Sequence, residues 1–395
     1  MSDNQPREYD AVLGGGNQTP VDGVVLGGIE GVKRRLQNPD VKARIAGLYQ
    51  ALNYGEAGLD LVIQALWDDD GKEVQTIAYS LLEKRVEKPA KQTLQECSDY
   101  QFFDCIVTLQ GHESNVNSVC ITPDGENIIS GSENNIILWK WQEKLPRVIY
   151  TVHNKDLINS VVYNSRIKSL LIRSKWGEIQ HIDCYDTSCV YFRINNGSGL
   201  HHSLHINQSS DTIFIGNKKG VIKVQNCFFK KRKFILGGHT KPILSLAVYG
   251  HILFSGSADN TIKIWDWLGE NKFIRTLEEH SSSVTALCLT EDGKTLFSGS
   301  GDNTIKIWDW QQGELIRTLE GHSLGVNSLA IAPDGKTLIS ASNDTTIKVW
   351  NWKSGKLQAT LTGHSAEVNS IALSPNGKHL FSGSSDKTVK VWGLE

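Results

Sequence analysis

Four segments of this chain end in nearly the same string: SGSADNTIKIWDW at 255–267, SGSGDNTIKIWDW at 298–310, SASNDTTIKVWNW at 340–352 and SGSSDKTVKVWGL at 382–394. A histidine precedes each at a near-constant distance: His239, His280, His322 and His364, in steps of 41, 42 and 42 residues. A period of this size marks a small supersecondary unit that cannot bury its apolar face alone and must stack against its copies. That feature holds most of the 395 residues to a repeat architecture.

Residues 313–354 show what the unit is. Ile316 to Leu319 read as a short strand, and Val326 to Ala332 as a second with alternating apolar residues. Pro333-Asp334-Gly335 is a turn, with Pro presetting φ and Gly accepting a positive one. Leu338 to Ser342 make a third strand, Asp344 turns the chain, and Ile347 to Trp352 make a fourth. Four short strands joined by turns, and repeated, predict the blade of a β-propeller.

The unit resembles the WD40 repeat, with Gly321-His322 at its GH and Trp350-Asn351 at its WD position. The resemblance implies a hydrogen-bonded tetrad of His, Ser, Asp and Trp in each blade. The matching residues are His239, Ser255, Asp259 and Trp265, then His280, Ser298, Asp302 and Trp308. The last two copies give His322, Ser340, Asp344 and Trp350, and His364, Ser382, Asp386 and Trp392. A buried imidazole can link strands in this way if its neighbours are satisfied, and Trp fills space between blades while donating its indole N–H.

A first, weaker copy begins at Gly111-His112, where the turn is one residue short and Glu133 stands for the acid. From His112 to His364 is 252 residues, six steps of 42, so seven blades fit. The two between are read as degenerate. One follows His153, with INSVVYN, SLLIRSK and GEIQHIDCY; the next has its histidine slot near Gly197, with GLHHSLHINQ, TIFIGNKK and GVIKVQNC. Both lack the strand-end Trp. The last blade ends after its third strand, and residues 103–110 are expected to supply the fourth and close the ring.

The preceding hundred residues follow another period. Asn38-Pro39-Asp40 offers a helix start, and Val41, Ile45, Leu48 and Leu52 recur at helical spacing until Gly55. Leu59 to Leu66, Val74 to Leu82 and Lys88 to Cys97 read as three more helices, joined by short polar turns. The block DVKARIAGLYQAL and its partner KEVQTIAYSLLEK resemble HEAT-type repeats. Two such pairs are few for a solenoid, so this block is expected to pack on the propeller or on a partner. Residues 1–37 form a Gly-rich leader in which Ile29 to Leu36 suits a short helix. Leader and helical block together are similar to segments preceding WD40 arrays in cyanobacterial proteins. The expected organisation is a leader at 1–37, a HEAT-like helical domain at 38–100 and a seven-bladed propeller at 101–395: a multi-domain, mainly β chain.

The strings GGGNQTP and GGIEGVKRR match neither phosphate-loop pattern. A Ser, His and Asp repeated four times beside a Trp is a scaffold pattern; a hydrolase needs one exposed nucleophile and an oxyanion hole. His201, His202 and His205 are placed on a strand, with His201 and His205 on one face; no local Cys or carboxylate completes a metal site. The seven cysteines contain no CxxC pair and read as reduced thiols. No apolar leader or membrane span is legible.

A net charge of -2 argues against a general polyanion binder, but a basic stretch is concentrated at Lys218, Lys219, Lys230, Lys231, Arg232 and Lys233. In WD40 proteins partners often dock on the face where the GH loops emerge. Matching positions here include Asn115, Asp156, Ser283 and Glu367 after the histidines, and Asn260, Asn303 and Lys387 after the turn acids. The function expected is a non-catalytic, cytoplasmic protein-interaction scaffold or regulatory subunit without cofactor or metal. It would bind one or more partner proteins through the propeller face and the helical segment. The alternative is a nucleic-acid-associated adaptor using residues 218–233.

Overall fold

The computed structural model describes residues 28–151, 158–164, 169–174, 179–183, 190–194, 201–207, 212–226, 234–270 and 272–394. The chain divides into two units, Met1–Phe102 and Phe103–Glu395.

The described part of the first unit is helical: α1 Gly28–Leu36, α2 Val41–Ala51, α3 Gly55–Asp68, α4 Lys72–Glu83 and α5 Lys88–Glu96. Asp40 caps α2, its carboxylate accepting from Lys42 N at 3.2 Å. Gly55 does more than interrupt the pattern. It takes φ +57 after a 3₁₀ turn at Leu52–Tyr54 and opens α3 directly. Gly58 is required by close approach: a Cβ there would lie 1.7 Å from Ala51 O. Val32, Leu48, Val62, Val74, Ala78 and Leu82 are fully buried in one core. This core takes in α1, on the leader side of residue 38.

The second unit is seven four-stranded antiparallel sheets. Blade one holds Val116–Ile121, Asn127–Ser132, Asn135–Lys140 and Leu145–Thr151. Blades two and three lie within 158–194 and 201–237. Blade four holds Ile243–Tyr249, Ile252–Ser257, Ile262–Asp266 and Phe273–Leu277; blades five and six lie within 284–319 and 326–361. Blade seven joins Val368–Leu373, Leu380–Ser384 and Thr388–Gly393 to Asp104–Gln110 from the front of the unit. Leu109 pairs with Val389 there, and Lys390 Nζ donates to Thr108 Oγ1 at 2.8 Å. First strands of neighbouring blades pack on one another all the way round, including blade seven on blade one.

The sequence unit and the blade are offset. Glu314–Leu319, read above as the first strand of its unit, pairs with Ile305–Asp309 and is the outermost strand of blade five. The GH segment then crosses to the first strand of blade six. The repeat therefore straddles each seam, which ties every blade covalently to the next.

Every first strand carries a β-bulge at one place, between residues 116/118, 158/160, 201/203, 243/245, 284/286, 326/328 and 368/370. The bulge aims a side chain at the next blade. Asn117, Asn327 and Asn369 donate to Ile158 O, Val368 O and Val116 O at 3.1, 3.1 and 3.0 Å. This corrects the histidine reading at its premise: an extra residue sits between His201 and Ser203, so strict alternation does not run through this strand.

Facing the next blade on the second strand is a glycine or alanine: Gly131, Gly216, Gly256, Gly299, Ala341 and Gly383. At Gly256 a Cβ would lie 2.6 Å from Val284 of blade five. Blade two departs, placing Arg173 there with only 4% exposure. Burial lowers the pKa of that guanidinium to about 10.

Candidate partner-binding face

The tetrads of blades four to seven are assembled. In blade four, Trp265 Nε1 donates to Ser255 Oγ at 2.9 Å, Ser255 Oγ lies 2.8 Å from His239 Nε2, and His239 Nδ1 lies 2.8 Å from Asp259 Oδ2. The indole-to-serine distance is 2.8 Å for Trp308–Ser298, Trp350–Ser340 and Trp392–Ser382. The serine-to-histidine distances are 2.7 Å at His280, 2.8 Å at His322 and 2.7 Å at His364. The Nδ1-to-carboxylate distances are 2.8 Å to Asp302 and 2.7 Å to Asp344 and Asp386. One proton arrangement satisfies each chain: Nδ1–H donates to the carboxylate, and Nε2 accepts from the serine.

Burial lowers the pKa of His239, His280, His322 and His364, partly offset by the facing carboxylates. For Asp259 burial acts upward, yet hydrogen bonds from Thr261 Oγ1, Thr240 N and His239 outweigh it and hold the pKa at about 2. Asp344 is likewise held at about 2. Ser255, Ser298, Ser340 and Ser382 are 0% exposed. No substrate reaches these hydroxyls, so the tetrads are struts and not nucleophilic sites.

Blade one corrects the expectation for Glu133. His112 Nδ1 lies 2.7 Å from Asn135 Oδ1, and Asn135, not Glu133, completes the chain His112–Ser130–Trp139. The shortened turn moves the first residue of the third strand into the acid's place. With an amide there, burial dominates and His112 falls to about 4.

Four repeats carry a second Trp, and it has a task the sequence reading did not assign. Trp141, Trp267, Trp310 and Trp352 donate to the carbonyls of Gly125, Gly250, Gly293 and Gly335. Their rings meet Phe381, Phe214, Phe254 and Phe297 of the preceding blade at 5.2 to 5.7 Å between centroids. The recurring Trp-x-Trp was the available signal.

The loop after each GH and the turn carrying the acid form one face. They are locked in pairs: Ala258 N, Gly301 N, Asn343 N and Ser385 N donate to Pro242 O, Ser283 O, Gly325 O and Glu367 O. Asn260, Asn303, Thr345 and Lys387 take φ of +69 to +72. Asn260 and Asn303 are tied down, donating at 3.2 Å to Ser281 O and Ser323 O of the next blade. Asn115, Glu367 and Lys387 are exposed, and among the described residues their side chains make no hydrogen bond or ion pair. Leu324 beside them is 51% exposed. Lys218 and Lys219 are exposed on the equivalent turn of blade three. Asp156, Lys230, Lys231, Arg232 and Lys233 lie outside the described residues, as do His153 and Gly197.

In the helical unit a separate groove of about 640 Å³ is lined by Leu36, Leu61, Ala65 and Asp68 to Asp70. Arg44 spans it, its Nε 3.0 Å from Asp69 Oδ2. Among the described residues no group of His, Cys, Asp and Glu is spaced to hold a metal. No helix there is long and apolar enough to cross a membrane.

Comparison with known proteins agrees with this geometry. The family model described as "WD domain, G-beta repeat" matches residues 103–140, 230–266, 271–309, 313–351 and 355–393. The chain is 25% identical over 193 residues to the periodic tryptophan protein 2 homolog of Dictyostelium discoideum, covering 47% of this chain and 21% of that protein. It is 23% identical over 206 residues to the tRNA (guanine-N(7)-)-methyltransferase non-catalytic subunit wdr4 of the same organism, covering 46% and 43%. The match thus spans under half the length of both relatives. The solved WD40 β-propeller domain of Doa1 superposes with a TM-score of 0.67 at 26% identity, over 74% of this chain and 97% of that one. Repeats, tetrads and a closed ring of seven sheets together make the second unit, Phe103–Glu395, a WD40-repeat β-propeller.

Proposed function

We propose that this chain is a non-catalytic interaction scaffold that holds a partner protein on the GH-loop face of its propeller. The observation that carries the reading is a division of labour among polar groups. The tetrads and bulge asparagines spend theirs inside the ring, while Asn115, Glu367 and Lys387 stand on a locked face without an internal partner. A rigid frame carrying uncommitted side chains is suited to binding. One relative is itself named a non-catalytic subunit. The helical unit offers a second surface, its groove along Arg44 and Asp68 to Asp70. We place the protein in the cytoplasm, where thiols stay reduced; among the described residues Cys97, Cys105, Cys120 and Cys288 form no disulfide.

The test is capture of partners from the native cell by the full chain, followed by affinity measurement with variants. Leu324→Arg and Glu367→Lys should weaken the captured partner about tenfold or more, as substitutions inside an interface do. Lys294→Glu, on the turn at the opposite end of the strands, should leave it unchanged. Equal affinity for all three variants would remove the face from consideration. A second reading, a nucleic-acid adaptor, is favoured only by the exposure of Lys218 and Lys219.

A further inference from the structure

Blade three reverses the charge of the tetrad turn. Ile222 pairs with Gly216 as Ile262 pairs with Gly256, so Lys219 stands where Asp259 stands in blade four, and Gly220 where Asn260 stands. Gly220 and Asn260 share a left-handed backbone, φ +74 and +72. The carboxylate of blades four to seven is thus replaced by an ammonium group, with Lys218 beside it. Asn217 holds this turn instead, its Oδ1 accepting from Lys219 N at 2.9 Å and Val221 N at 3.0 Å.

The same turn abuts blade four. A Cβ on Gly220 would lie 2.1 Å from His239 O, so the turn rests on the loop His239-Thr240-Lys241. A third exposed lysine, Lys241, therefore joins the first two on one seam of the GH-loop face. Among the described residues none of these three side chains makes an ion pair or hydrogen bond. Lysines with a structural task behave differently: Lys263, Lys306, Lys348 and Lys390 each donate to a threonine on the neighbouring strand.

Three uncommitted ammonium groups on a rigid seam attract negative charge and orient whatever carries it. A track for a nucleic-acid backbone needs more cations, on a chain whose net charge is not already -2. A short run of carboxylates fits the span better. We propose that the seam between blades three and four receives an acidic segment of a partner protein, its carboxylates paired with Lys218, Lys219 and Lys241. This rests on the reading of the GH-loop face as the binding face, and adds the chemistry of what binds there.

The test uses the full chain, with a labelled oligoglutamate peptide and a labelled single-stranded oligonucleotide of equal charge as probes in fluorescence anisotropy. The peptide should bind, and added salt should weaken it, because exposed charges are screened beyond about 8 Å at physiological ionic strength. Combined Lys218→Glu, Lys219→Glu and Lys241→Glu should weaken it about tenfold or more, and Lys294→Glu should not. Unchanged circular dichroism and melting show that the triple variant is folded. Should it misfold, the three glutamine substitutions are read instead, with a smaller loss expected. Absent peptide binding, or equal binding by the triple variant, overturns the proposal. So does an oligonucleotide that binds more tightly than the peptide and is lost in the same variant. Should Leu324→Arg release the native partner while the triple lysine variant keeps it, the acidic segment is wrong and the binding face stands.

Discussion

Single positions in this ring are defined by where they stand in space more than by their chemical type. Asp302 serves four donors at once: His280 Nδ1 and Ser281 N on one oxygen, Thr304 N and Oγ1 on the other. Asn135 in blade one serves His112 through a single amide oxygen that also meets Ser132. Asp302→Ala leaves a buried imidazole N–H without an acceptor and should cost about 2–3 kcal/mol. Asp302→Asn keeps one acceptor but turns an NH₂ toward a donor, and should cost about half as much. Urea unfolding of the full chain measures both, and midpoints equal to wild type would show the tetrad to be ornamental. Blade one also shows why its own acid was misjudged. Charge type pointed to Glu133, whereas the shortened turn lets the third strand's first residue set the geometry. The four regular tetrads were legible because those copies match the WD40 repeat position by position, and the resemblance implies the His, Ser, Asp and Trp of each.

At the level of strands and helices, the alternation and the helical spacing were readable because side chains on a pleat or a helix repeat with fixed periods. What was missed were places where the backbone breaks its period. The bulge before Ser118, Ser203, Ser328 and Ser370 interrupts the alternation on which the histidine strand was read. Its signal was present as the triplet Val-Asn-Ser at 116–118, 326–328 and 368–370. The closing strand is the element on which the ring depends. Asp104–Gln110 covers the edge of Thr388–Gly393, and Leu109 is buried between blade seven and blade one. Deleting residues 103–110 should uncover that edge, and uncovered edges pair with other chains. The truncated protein is expected in the insoluble fraction. A soluble monomer with an intact thermal transition would show that closure is dispensable.

Taken as one molecule, the propeller concentrates neutral histidines and ionised aspartates in its interior, and both make it acid-sensitive. The tetrad imidazoles have folded pKa values below their ordinary 6.5, so the unfolded chain binds more protons as the pH falls past that value. The stability they contribute is present above about 6.5 and is lost as the pH drops through their folded values. Asp259 and Asp344, held near 2 against an ordinary 3.8, act in the same direction at lower pH. Neither group opposes the other, so melting temperature should be flat from neutral to mildly alkaline pH and fall steadily below it. Among the tetrad histidines, His112 should lead that decline. It faces an amide, so no carboxylate stabilises its protonated form, and its pKa of about 4 is pushed down chiefly by burial. Blade one also adjoins blade seven, the blade in which the two ends of the ring meet without a covalent link, Asp104–Gln110 on Thr388–Gly393, and it is held there by Asn369 to Val116 O and by Val119 N to Ser370 Oγ. Acid should therefore open the ring first where its two ends meet. Hydrogen exchange at mildly acidic pH should show the strands of blades one and seven losing protection before those of blades five and six. Uniform loss of protection, or a melting temperature indifferent to acid, would break the link between the tetrads and closure.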